Sequence, residues 1–202
     1  MTRPLRHAPG LVGQAELLRA PLKAQPKAVF VVNPKAGDGP GKFVQLLERR
    51  LPPAALRYDV AMTAAAGDGE RIAANAAAAG YDIVVAVGGD GTVNETINGL
   101  MQSGGGADDR PALGVLPVGS GNDFSFGMGI PHAIEQACDL LSQGERRVFD
   151  LGYTTCHDTS QARYFGNGVG LGFDAVVGFE AAKIHWLHGA VSYFAALVKT
   201  IF

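Results

Sequence analysis

Apolar and polar positions along this chain follow two periods in turn. Ala28 to Val32 (AVFVV), Leu56 to Met62, Ile83 to Val87 (IVVAV) and Leu113 to Leu116 are apolar runs of strand length. Between them lie stretches with apolar residues at helical spacing. Lys42 to Leu51 stops at Pro52-Pro53, the alanine-rich Asp68 to Ala79 stops at Gly80, and a third helix is predicted from about Val93 to Met101. A fourth is predicted over Pro131 to Ser142, with Pro131 in the first turn, where its missing N–H costs nothing. Strands alternating with helices predict a parallel sheet covered by helices.

After Gly144 the texture changes. Arg146 to Thr154 and Arg163 to Val169 read as strands around a polar loop, His157 to Gln161. Gly189 to Phe202 reads as a strongly apolar helix that ends without a cap or polar tail. The expected division is a flexible leader over residues 1–26, an α/β unit over 27–145 and a β-rich unit over 146–202, the last read as cut short.

Composition narrows the function classes. The formal net charge of −2 gives no basic field for nucleic acid. Cys138 and Cys156 match no zinc or redox spacing and are expected to be reduced thiols. The N-terminal segment has no continuous apolar core for a secretory signal, and no apolar run approaches the roughly 20 residues that span a bilayer.

Three glycine-rich turns carry the candidate chemistry. Asn33 to Lys42 (NPKAGDGPGK) follows the first strand; it misses the P-loop pattern because Ala36 stands at the first glycine and Phe43 at the Ser/Thr. Gly88 to Thr92 (GGDGT) runs from strand three into a helix, with Glu95 and Asn98 following at helical spacing. A glycine turn leading into a helix N-terminus is a ready anion site. Asp90 in its middle points further, to metal-bound nucleotide and phosphoryl transfer, because a carboxylate beside phosphates needs a cation or a proton to offset repulsion. The structural alternative is a capping box of Thr92 with Glu95. The third turn, Leu116 to Phe124 (LPVGSGNDF), offers Ser120 and Asn122 as donors to phosphate or ribose, and Asp123 as a carboxylate that holds its own loop. In open α/β sheets such turns meet beyond the carboxyl ends of the strands. His185 and His188 lie three apart but lack a nearby carboxylate for a metal pair. Trp186, Tyr193, Phe194, Leu197 and Phe202 form an apolar helical face, for core packing or for lipid.

On Val32-Asn33-Pro34 with Gly37, GGDGTVNETINGL (Gly88 to Leu100), LPVGSGNDF (Leu116 to Phe124) and FGNGVGLGFDA (Phe165 to Ala175), the chain resembles the diacylglycerol kinase catalytic-domain family. That family includes bacterial lipid kinases and sphingosine kinases and is related to NAD kinases. The likeness covers roughly Lys27 to Phe202, with the motifs in the family's order. It implies a three-layer α/β nucleotide-binding lobe with a mostly parallel sheet, followed by the start of a β-sandwich lobe.

The implied activity is ATP-dependent transfer of the γ-phosphate to a lipid hydroxyl such as that of diacylglycerol. The implied cofactors are ATP and Mg²⁺. Carried over by position, Asn33, Pro34, Lys35, Ala36, Gly37, Thr63, Gly89, Asp90, Gly91, Thr92, Val93, Asn94, Glu95 and Ser120 would surround ATP. Asp90 would be the catalytic residue, as metal partner or as the carboxylate that handles the lipid hydroxyl. No other metal ligand is assigned. The resemblance further implies a cytoplasmic protein of phospholipid biosynthesis with transient membrane contact, and leaves room for a homodimer.

Two departures stand out. Many bacterial relatives have Asn-Asp-Phe-Ala-Arg where this chain has Asn122-Asp123-Phe124-Ser125-Phe126. The family's second lobe also continues past the equivalent of Phe202, with a proposed general base and metal ligands there. The competing expectations are therefore a silent or truncated nucleotide-binding module acting through a partner, and an NAD kinase.

Overall fold

Among the described residues, four strands alternate with helices as the sequence pattern predicts, and two further helices, a two-stranded hairpin and a helix pair follow. The computed structural model describes residues 25–37, 40–51, 56–104, 106, 109–143, 146–156, 161–183 and 190–201. The leader over residues 1–24, His185, Trp186, His188 and Phe202 lie outside the described residues.

β1 (Lys27–Val32), β2 (Arg57–Met62), β3 (Ile83–Gly88) and β4 (Ala112–Pro117) form one parallel sheet in the order β2-β1-β3-β4. The α/β class with a parallel sheet is thus present as the sequence predicts. Side chains alternate across the sheet with a period of two. Ala28, Phe30, Val32, Val85 and Val87 face α1 (Pro40–Arg50) and α5 (Ile134–Gln143), where Phe43, Leu47, Ala137 and Cys138 complete one buried layer. Val29, Val31 and Val84 face the other way, onto Ala73 and Ala76 of α2 (Asp68–Ala78) and Leu100 of α3 (Asp90–Met101). All six residues of β3 are buried, which is why its sequence reads as an uninterrupted apolar run. At roughly 1.5–3 kcal/mol for each large apolar side chain removed from water, this strand anchors the fold.

The chain moves from β1 outward to β2, then crosses back over β1 to β3 and on to β4. With right-handed crossovers, that reversal puts α1 on one face and α2 and α3 on the other. It also leaves a crevice between the carboxyl ends of β1 and β3, the place where open α/β sheets bind ligands.

Several boundaries differ from the sequence pattern. α3 begins at Asp90, not Val93, so Thr92 is a buried residue of the first turn rather than a cap. α5 begins at Ile134, so Pro131 precedes the helix. α4 (Asp123–Gly127) and α6 (Phe173–Ala182) were not expected as helices. α4 is short and owes its start to a side chain from another element, described below. α6 is apolar on most sides and has Gly172 before it and Gly178 within it, so it shows no helical period. Arg146 to Leu151 is not a strand: Phe149 and Leu151 lay their side chains on the layer around Phe124, and no strand among the described residues pairs with this segment. Pairing begins only with β5 (Gly152–Cys156) and β6 (Gln161–Phe165), an antiparallel hairpin. α7 (Ala190–Ile201) packs against α6. Neither Cys138 nor Cys156 forms a disulfide; burial pushes the Cys138 thiol up to about 11.

α2 and α3 approach each other closely at Gly99. A Cβ there would stand 2.2 Å from the Glu70 carbonyl oxygen and 2.7 Å from Ala73 Cβ. Both neighbours belong to a packed helix and cannot withdraw. Gly99→Ala is expected to destabilise the fold by about 1–3 kcal/mol, read as a lower denaturation midpoint at unchanged slope.

Candidate functional site

The three glycine turns do converge. The Asn33 N–H donates to Val87 O at 3.0 Å, and the Val118 N–H donates to Gly88 O at 3.1 Å, so each turn leaves its strand still tied to β3. The Thr63 N–H donates to Val32 O at 2.9 Å and brings the end of β2 alongside. Contact is tightest between the second and third turns. A Cβ on Gly119 would lie 2.3 Å from Gly89 Cα, so only glycine lets these backbones meet. Gly37 takes a positive φ of 66° and packs on Val118, closing the first turn over the third.

The first turn is a local solution. Asn33 Oδ1 accepts from the Lys35 N–H at 3.0 Å, and the Ala36 N–H donates back to Asn33 O at 3.0 Å. Pro34 presets the conformation of this turn. Pro34, Lys35 and Gly37 are exposed at its rim. Thr63 is half-buried, and the chain after it is held by Asp68, which accepts from the Ala64 and Ala65 N–H groups at 2.8 and 3.1 Å. Arg71 and these two donors hold the Asp68 carboxyl down at about 2. A lowered carboxyl stabilises the folded state above its ordinary value near 3.8, and the contribution is lost as pH falls toward 2.

In the second turn, roles divide by direction. Thr92 and Val93 are buried, Val93 against the smaller of the two hollows described below, whereas Gly91 is exposed. Glu95 reaches across to the start of α2, its two oxygens accepting from the Gly67 and Gly69 N–H groups at 2.9 Å each. The capping-box expectation is thereby corrected: Glu95 caps α2, while α3 has Gly89 at its N-cap position and no side-chain cap. Asn94 donates to Tyr164 O at 3.0 Å. Asn98 brackets the same residue, donating to Tyr164 O at 3.0 Å and accepting from its N–H at 2.9 Å. These amides seat the β5–β6 hairpin on α3. The exposed Arg163–Glu70 ion pair at 2.8 Å adds little, because such pairs contribute about 0–1 kcal/mol.

The third turn is closed by Asn122, in the left-handed region at φ 60°. Its amide accepts from the Gly119 N–H at 3.0 Å and donates to Gly119 O at 2.8 Å, so it serves the turn rather than a ligand. Ser120 is exposed at the tip. The expectation that Asp123 holds this loop is also corrected. Asp90 does so, accepting from the Asp123 and Phe124 N–H groups at 3.2 and 2.9 Å. It thus satisfies the orphan donors that open α4.

Two hollows flank this junction. The larger, about 550 Å³, is bounded by Asn33, Ala36 and Gly37, by Val118 and Gly119, and by Lys42, Gln45 and Arg49 of α1 with His132. Lys42, Gln45 and Arg49 lie on one helical face, a spacing visible in the sequence; nothing there signals His132. The smaller, about 190 Å³, has Asp90, Asn94 and Asn167 at its polar edge and Val93, Ile97, Phe124 and Phe165 as walls. Asn167 follows β6 and donates to Asp90 Oδ1 at 3.3 Å. It lies within the FGNGVG run, yet no spacing marks it as a partner of Asp90.

Comparisons with known proteins identify the family. Residues 27–154 match the family described as diacylglycerol kinase catalytic domain. The chain is 33% identical over 172 residues to a diacylglycerol kinase of Bacillus subtilis (strain 168), covering 83% of this chain and 53% of that protein. It is 40% identical over 142 residues to the "Probable lipid kinase YegS-like" of Chromohalobacter salexigens, covering 68% of this chain and 43% of the relative. The chain therefore spans about half the length of these curated relatives. A crystal structure of a diacylglycerol kinase from Bacillus anthracis str. Sterne superposes with a TM-score of 0.50 at 34% identity, over 60% of this chain and 43% of that one.

The capping geometry makes Glu95 a stability residue whatever else it touches. Glu95→Ala is expected to cost about 1–2 kcal/mol, the usual loss for a missing helix cap. Thermal or urea unfolding without nucleotide checks it.

Proposed function

The chain belongs to the diacylglycerol kinase catalytic-domain family, and on that premise we propose that it binds ATP where its glycine turns converge and serves transfer of the γ-phosphoryl group to a lipid hydroxyl. The observation that carries this reading is the position of Asp90. Its carboxylate stands between the glycine turns and an apolar-walled cleft, fixed by two main-chain donors. Phosphates suit the side rich in backbone N–H groups, and a lipid suits the walls of Val93, Ile97, Phe124 and Phe165.

The lipid oxygen would attack the γ-phosphorus in line as the bond to ADP breaks, with little covalent work left for the protein. The turns of Asn33 to Gly37, Gly89 to Glu95 and Ser120, with Thr63, would place the nucleotide. Asp90 would serve at the reacting centre, whether it meets a metal carried by the nucleotide or the proton leaving the lipid hydroxyl. The donor set fits Mg²⁺ in the manner of phosphate-bound magnesium, which needs only one or two protein carboxylates. No group of three possible metal ligands stands together among the described residues, so the phosphates would supply other positions and Asp90 would hold the protein's share. Bound there, the ion would neutralise charge on the β- and γ-phosphates. Diacylglycerol is the acceptor that the relatives' names suggest, and its product would enter phospholipid synthesis.

A lipid acceptor requires access to a bilayer. No helix among the described residues is long and apolar enough to cross one. Leu171, Phe173 and Phe179 are 79%, 53% and 71% exposed, and Phe194 on α7 is 66% exposed. Large exposed apolar groups of this kind mark interaction surfaces. They support contact with the membrane surface through α6 and α7, and ATP as the donor would place the protein on the cytoplasmic side.

Asp90→Asn keeps the size of the side chain and removes its charge. Phosphoryl transfer from ATP to dispersed diacylglycerol is expected to fall at least about a hundredfold, with ATP affinity within a few-fold; near-normal turnover would overturn the assignment. The same assay with NAD as acceptor should give no product, whereas ATP binding without transfer to any lipid would favour a silent module. For the membrane face, the double change Phe179→Asp and Phe194→Asp should lower the fraction sedimenting with anionic phospholipid vesicles about tenfold, from the lost burial of two rings.

A further inference from the structure

Among the described residues, Asp90 receives three hydrogen bonds, distributed unevenly. Oδ1 accepts from the Phe124 N–H at 2.9 Å and from Asn167 Nδ2 at 3.3 Å, while Oδ2 accepts only from the Asp123 N–H at 3.2 Å. A carboxylate oxygen takes about two donors, so Oδ1 is filled and Oδ2 keeps one place open. Oδ2 lies beside Gly121, where a Cβ would come within 3.1 Å of it; the missing side chain leaves that oxygen approachable. The two main-chain donors of α4 are alike and do not distinguish one carboxylate oxygen from the other. The third donor, from the loop after β6, breaks that symmetry.

Asn167 is in turn placed by the hairpin. Asn98 brackets Tyr164 three residues earlier. Gly166 lies so close to the Phe124 ring that a Cβ would meet it at 2.7 Å. The loop therefore has a fixed starting point even though the Asn167 side chain is exposed. We infer that Asn167 is a positioning residue for Asp90. It occupies Oδ1, leaves Oδ2 as the working oxygen, and makes the state of the site depend on the docking of the β5–β6 hairpin. The part concerning transfer rests on the role proposed for Asp90; the part concerning placement does not.

The test uses the 202-residue chain as wild type, Asn167→Ala and Asn167→Asp, each first shown to melt as wild type does. Hydrogen exchange by NMR reads placement without any activity. If Asn167 holds the carboxylate on α4, the Phe124 amide should exchange about fivefold or more faster in Asn167→Ala, while core amides of β3 stay unchanged. Equal Phe124 exchange in the two proteins would overturn the inference. Transfer kinetics read the consequence. Asn167→Ala should lower kcat about ten- to a hundredfold at unchanged KM for ATP, as misplacement of a reacting group does. Asn167→Asp should lower it further, because a second carboxylate would face Asp90. Equal kcat in both variants, or a change confined to KM, would overturn the catalytic part. A wild-type chain that transfers nothing would count against the proposed function, and amide exchange would then decide the placement by itself.

Discussion

Where the turn after β3 meets the turn after β4, two main chains touch with no side chain between them. The Gly89–Gly119 approach leaves no space for a Cβ on Gly119, which would stand 2.3 Å from Gly89 Cα. Much else follows from that contact. It sets the start of α3 beside the start of α4, and so lets one carboxylate, Asp90, cap the second helix from the first turn of the other. It holds the donors of two turns within reach of one ligand. A methyl group here would separate the turns and dissolve the arrangement, although neither glycine has a functional group of its own.

The same contact divides the neighbourhood into two chemical environments. On the side of α1, the hollow carries amide, cationic and imidazole groups with exposed main chain. On the side of β6, the walls are valine, isoleucine and phenylalanine. Asp90 lines the second, one residue after the Gly89 contact that forms the boundary. A reaction that joins a highly charged donor to an apolar acceptor needs such a boundary, since neither reactant is stable in the other's surroundings.

Much of the fold was legible because its signals are local. The uninterrupted apolar run Ile83 to Val87 means a strand covered on both faces, and the strand is so placed. The turns at Asn33 and Gly88 could be read from glycine and proline chemistry alone. Readings failed where a distant partner decides. α4 exists because Asp90, more than thirty residues earlier, supplies its cap, so the Asn122-Asp123-Phe124 segment looked like loop. Thr92 and Glu95 had the spacing of a capping box, but Glu95 finds better donors on α2, and no local rule contains that choice. Arg146 to Leu151 has strand composition, but no strand among the described residues pairs with it. The site was visible as motifs; its division into structural residues such as Asn98 and Asn122 and exposed ones such as Gly91 and Ser120 depends on directions that only the fold supplies.

The three partners of Asp90 lie 33, 34 and 77 positions away along the chain. Each must be brought in against the entropy of the segment between, and the longest segment includes the hairpin. Such contacts form after local helices and are among the first to open in partial unfolding. A chain with its sheet intact but its hairpin undocked would keep most of its secondary structure and lack a complete Asp90 environment. A partly folded molecule of this protein would therefore lose the geometry around Asp90 well before it looked unfolded, so loss of that site and loss of secondary structure are separate events.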